Sequence, residues 1–180
     1  MKTLLKLSFI LLLIGFGNTG CEKIKSLADV TFDANYESTI DVDVVPSALK
    51  ATNGTFFETV TIDPLSNSDM ATYANLIKDI DVVEVSAEVI SLSTPVQLIS
   101  ATLNASSTGF TDASWSFANE TLTVGKVLTL SNDAGQFDNL QKILTSKNVF
   151  TVTLQGQTDV NEATFSLLMT FKTRVTANPL

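Results

Sequence analysis

Few groups in this chain could do chemistry, and their spacing narrows what that chemistry is. Carboxylates recur two apart, at Asp41/Asp43 and Asp79/Asp81, and Asp33, Glu37, Asp41 and Asp43 share one parity. Paired carboxylates hydrolyse glycosides only when the fold sets their separation. Acids on alternate strand positions stand about 6.6 Å apart, too wide for one calcium ion without ligands from elsewhere. The chain has no histidine, so the commonest general base and metal ligand is missing. A serine nucleophile would then need a lysine base; Ser26 and Ser146 have no lysine three residues on, and we expect no serine–lysine pair. Asn132-Asp133-Ala134-Gly135 starts like a calcium loop but lacks the alternating ligands and closing glutamate of an EF-hand, so it reads as a helix cap. The expectation is a non-enzymatic protein with no metal and no cofactor.

The remaining reactive group is Cys21, the single cysteine. Exported chains use cysteine in pairs, so a lone one needs its own explanation. The residues before it have the build of an export signal: Lys2 and Lys6 as the charged start, an apolar run from Leu4 to Phe16, then small or polar residues. That run is broken by Ser8 and closes at Gly15-Phe16-Gly17-Asn18, short of the roughly 20 apolar residues a spanning helix needs.

Thr19-Gly20-Cys21 resembles the end of a bacterial lipoprotein signal, in which a small residue precedes the cysteine that becomes lipidated. Asn18 stands where the commonest form has leucine, a looseness similar to Bacteroidetes-like lipoproteins. The resemblance covers the first 21 residues. It implies cleavage before Cys21, a diacylglycerol on the thiol and a further acyl chain such as palmitate on the new amino terminus. Two or more buried chains hold a protein at a membrane where one would exchange. The resemblance also implies a cell-envelope location. Glu22 follows the cysteine where inner-membrane retention goes with aspartate, so the outer membrane is expected. Lys23 and Lys25 interrupt the acidic run that goes with surface export, so the domain is expected to face the periplasm.

Three segments follow: a signal over 1–20, a lipidated cysteine and tether over 21–29, and one domain over 30–180. The 160 residues from Cys21 onward suffice for one domain with a sizeable core. Stretched at about 3.3 Å per residue, the eight residues 22–29 reach roughly 26 Å, which keeps the domain near the bilayer. Without Lys2 and Lys6 the chain carries nine basic and nineteen acidic residues, a net charge of −10. That balance disfavours nucleic acid, which selects basic faces, and docking on anionic lipid through the protein surface.

From residue 30 the hydrophobic period is two. Val30, Phe32, Ala34, Tyr36, Ile40, Val42 and Val44 alternate with polar or acidic residues. Asn53-Gly54 signals a hairpin turn before Phe56, Glu58, Val60 and Ile62. Ser66 to Asp69 offer an N-cap for a short helix over 69–79. A strand with Val83, Val85, Ala87 and Val89 on one face slips phase at Ile90, which predicts a bulge. Pro95 precedes a strand with Ile99, Ala101, Leu103 and Ala105, and further strands lie around Trp115 and Leu128. Asn132-Asp133 cap a second helix over 134–146. Phe150, Val152 and Leu154 then mark a strand, and Ala163 to Val175 alternate strictly, which predicts a central strand. The two helices share an aromatic-x-Asn-Leu-x-Lys echo, Tyr73 to Lys78 and Phe137 to Lys142, consistent with a duplicated strand-helix-strand unit.

Eight or nine strands with two short capping helices predict an all-β, two-layer antiparallel β-sandwich, immunoglobulin-like or jelly-roll in style. The alternative is a lipocalin-like β-barrel with a ligand cavity. Two functions fit: an anchored envelope lipoprotein whose sandwich binds a protein or glycan or plays a structural part, or a carrier of lipid or another small molecule. Phe110, Trp115 and Phe117 are the aromatic candidates for a contact surface.

Overall fold

The computed structural model describes residues 29–47 and 53–179. Eight strands form: β1 Val30–Pro46, β2 Gly54–Ile62, β3 Ile77–Leu92, β4 Val96–Ser106, β5 Ala113–Leu122, β6 Val127–Leu130, β7 Phe150–Thr158 and β8 Ala163–Ala177. A 3-10 turn, Pro64–Ser66, and helix α1, Ser68–Tyr73, link β2 to β3, and helix α2, Gln136–Thr145, links β6 to β7. All pairings are antiparallel.

The strand order, β5-β4-β7-β2-β1-β8-β3-β6, decides between the architectures the sequence left open. β1 meets β2 only at Val45↔Thr55 and Pro46↔Gly54. There the sheet turns a corner between one layer of β6-β3-β8-β1 and another of β2-β7-β4-β5. This is the jelly-roll arrangement, two interlocked Greek keys. An up-and-down barrel would pair each strand with the next in sequence, whereas here only β1–β2 and β4–β5 do so.

Adding four to each strand number turns one layer into the other, and α1 and α2 occupy equivalent connections. The sequence echo does not mark that equivalence. Phe137 to Lys142 lie within α2, but α1 ends at Tyr73 and Lys78 is already in β3. The helix expected over 69–79 is cut short because Ile77 pairs with Ala177 at the end of β8, and a strand bonded on its flank cannot also continue a helical turn.

Alternation sets the faces. Even positions of β1 from Ala34 to Val44 are buried, apart from the partly buried Ser38, and odd positions are exposed. β8 is central, flanked by β1 and β3. The expected slip in β3 is a bulge between Val89 and Ser91, and a second lies between Val82 and Glu84. That second bulge turns Val83 outward, to 54% exposure, correcting its placement on the core face with Val85. Gly54 is not a turn residue. It is the first residue of β2 and is buried, and a Cβ there would meet Val44 Cγ1 at 2.3 Å.

The space between the layers is filled. Phe56 of one layer meets Phe165 of the other edge-on at 5.6 Å between ring centroids, and Phe150 meets Phe171 at 6.1 Å. Such pairs contribute about 0.5–1.5 kcal/mol beyond the area they bury. Leu140, Ile143 and Leu144 of α2 are fully buried and close the side where β3 and β5 diverge. Among the described residues, no helix is long and apolar enough to cross a membrane.

Candidate functional site

Cys21, with the signal and most of the tether, lies outside the described residues. The tether's end is visible. Asp29 is 3.0 Å from Lys78 Nζ and accepts from Asn178 Nδ2 at 2.7 Å, so the last tether residue is tied to β3 and to the residue following β8. Lys78 holds the Asp29 carboxyl below the usual aspartate range, helped by Asn178.

The three aromatic candidates do not share a surface. Trp115 is 4% exposed, and its indole Nε1 donates to the Ser131 carbonyl at 2.8 Å. Phe117 packs against the core. Phe110 alone reaches out, beside Lys142 and Ser146 at a shallow cavity of about 460 Å³. Inward alternation along β5 overrides any role for Trp115 as a contact residue.

The carboxylates also fail to converge. Asp33, Glu37, Asp41 and Asp43 lie on the outer face of β1, as alternation requires. Arg174 pairs with Asp33 at 3.5 Å, and Asp41 accepts from Ser166 Oγ at 2.6 Å. Asp79 accepts from Gln141 Nε2 at 3.2 Å. Among the described residues, no group of three or more acidic, histidine or cysteine side chains could hold a metal ion. The expectation of no serine–lysine pair needs correction. Ser47-Ala48-Leu49-Lys50 has that spacing, but its lysine lies outside the described residues.

What the pairing does bring together is a polar face whose outward strand positions are uncharged. On the outside of the β2-β7-β4-β5 layer, Thr61, Thr151 and Ser106 form one row. Thr59, Thr153, Asn104 and Ser114 form the next, then Phe57, Gln155, Thr102 and Ser116, then Thr55, Gln157, Ser100 and Ala118. Every position is exposed or partly exposed. None of these fifteen positions is charged, and the nearby carboxylates lie at the margins: Asp112 accepts from Asn104 Nδ2 at 2.9 Å, and Asp43 and Glu58 flank Phe57. The opposite layer shows the contrast. Its outer face carries Asp33, Glu37, Asp41, Asp43, Asp81, Glu84 and Glu88 against Lys172 and Arg174.

A groove of about 680 Å³ lies on the neutral face. Phe57, 64% exposed, stands in it beside Gln155, Ser100 and Thr102, and Asp43 and Glu58 also line it. Gly156 shapes its floor. Gly156 is in register with Phe56 on one side and Ala101 on the other, and a Cβ there would fall 2.4 Å from the Ser100 carbonyl and 2.6 Å from Phe56 Cζ. The strand alternation was legible in sequence, but Phe57 sits on the polar side of β2 and carried no signal of its own.

No family model and no curated protein matches the chain. Among solved structures, the chain is similar to the crystal structure of the decameric BFDV capsid protein, at 6% identity and a TM-score of 0.42, covering 81% of this chain and 99% of that one. It is also similar to a structure of Desmodium yellow mottle tymovirus, at 12% identity and a TM-score of 0.36, covering 84% of this chain and 90% of that one. Likenesses this distant carry no argument about this chain, whose all-β, antiparallel two-layer fold rests on its own strand order.

Proposed function

We propose that this protein is a lipid-anchored envelope protein whose β-sandwich is a non-catalytic binding module, held at the outer membrane by acyl chains on Cys21. The observation that supports it is the contrast between the two outer faces, one with acids along its strands and one whose outward strand positions are uncharged, on a domain whose interior is packed with aromatic and aliphatic side chains. Interface centres are depleted in charge relative to the surrounding surface, and the neutral layer has that character. The carrier reading needs an internal cavity, whereas Phe150, Phe165, Phe171 and Met169 occupy the space between the layers. The acidic layer, together with the anchor, suits a domain kept clear of anionic headgroups.

The anchor is tested by expression with labelled fatty acid in a bacterial host. The wild type takes up label and partitions into detergent, and Cys21→Ser loses both; label retained on Cys21→Ser overturns the anchor. The binding-module reading is tested by incubating the protein with lipid extract and measuring its native mass. A lipid-free domain supports it, and a lipid held stoichiometrically inside the domain overturns it in favour of the carrier.

A further inference from the structure

Resting on the binding-module reading, we propose that the groove around Phe57 binds an uncharged glycan chain. Four features of the groove select that ligand. The first is the hydrogen-bonding inventory. Ser100, Thr102 and Gln155 each offer both donors and acceptors, which matches sugar hydroxyls that also do both. The second is Phe57, whose exposed ring presents an electron-rich face to the C–H groups of a pyranose. The third is charge. Asp43 and Glu58 accept from hydroxyls but repel carboxylate or sulfate, and the acidic layer adds to that repulsion. The fourth is size, since about 680 Å³ falls within the roughly 300–1,000 Å³ span of small-ligand sites.

Other occupants fit less well. An extended peptide binds by adding a strand to a sheet edge, and β2 past Thr55 has such an edge toward β1. But Gln155, Ser100 and Thr102 lie on β7 and β4, which are paired on both flanks, so a strand added at that edge would leave them uncovered. A lipid tail needs an apolar lining, and hydroxyls and amides surround Phe57. A second copy would bring together two acidic chains over a patch that is more polar than apolar, whereas the centres of homodimer interfaces are about 65% apolar.

The test is native electrophoresis of the full protein in non-ionic detergent, through gels containing galactomannan, β-1,3-glucan or dextran, with alginate as the anionic comparison. At least one neutral polysaccharide slows the wild type, and alginate does not. Phe57→Ala weakens the retardation about tenfold or more, a loss of roughly 1.4 kcal/mol in binding, while Phe57→Trp retains it. Circular dichroism of each variant matches that of the wild type. Unaltered migration in all three neutral gels overturns the proposal, as does equal slowing by alginate, wild-type behaviour of Phe57→Ala, or a dimer in the ultracentrifuge that Phe57→Ala abolishes. With no neutral glycan bound and a lipid-free native mass, only the ligand class falls. A lipid mass removes the binding-module reading itself.

Discussion

The indole Nε1 of Trp115 donates to the carbonyl oxygen of Ser131 over 2.8 Å, and this bond spans the gap between the two edge strands. Trp115 belongs to β5 and Ser131 follows β6, the first and last strands of the sheet order. The bond is thus the counterpart of the β1–β2 corner on the opposite side of the sandwich, made by one side chain where the corner uses main-chain pairing.

Trp115→Phe keeps the ring in the core and leaves the Ser131 carbonyl without this donor. Losing a partly buried hydrogen bond costs about 1–3 kcal/mol. Urea denaturation is expected to show a lower midpoint with an unchanged slope, and Trp115→Phe as stable as the wild type would show that the edges are held by α2 alone.

Gly156→Ala is expected to destabilise by about 1–3 kcal/mol, the usual cost of overpacking. The nearest obstacle is the Ser100 backbone carbonyl at 2.4 Å, so trimming Phe56 in the same chain should not restore stability. Thermal melts of the single and double variants check this, and rescue by Phe56→Leu would place the clash on the side chain instead.

Tyr36 is buried, and its hydroxyl has no hydrogen-bond partner among the described residues. Burial, and secondarily the Asp63 carboxylate, raises the phenol pKa well above its ordinary 10.0. The folded chain therefore keeps its proton where the unfolded chain releases it. Stability is intact below about pH 10 and falls as pH rises further, by at most one proton, about 1.4 kcal/mol per pH unit. Tyr36→Phe is expected to match or exceed the wild type at pH 7 and to lose less stability between pH 10 and 12. Equal alkaline losses in the two proteins would rule out this origin.

Chelation is expected to leave the melting temperature unchanged, because the acids of the outer β1 face lie along one strand, with Asp33 partnered by Arg174 and Asp41 by Ser166. A drop of several degrees with EDTA would reveal a calcium site that these carboxylates complete.

The sequence by itself determined which side of each strand is wet. From Ala34 to Val44 and from Ala163 to Val175, a period of two sorts side chains between core and solvent, because successive Cβ atoms point to opposite faces whatever strand lies alongside. Asn67 was legible as a cap for the same local reason, since its side chain accepts from the backbone amides of Asp69 and Met70. At α2 the expected Asn132-Asp133 cap gives way to Gly135 in a left-handed conformation, and Asn132 accepts from the Phe137 amide from outside the helix. Only the tertiary structure decided which strands became neighbours, since pairing joins residues far apart in the chain. Thr59, Thr153, Asn104 and Ser114 form one row because β2, β7, β4 and β5 lie side by side, and no local pattern encodes that order. The same long-range pairing ended α1 at Tyr73, turned Val83 outward at a bulge and set Phe57 over a groove. Local alternation could mark Phe57 only as an apolar residue on a polar side.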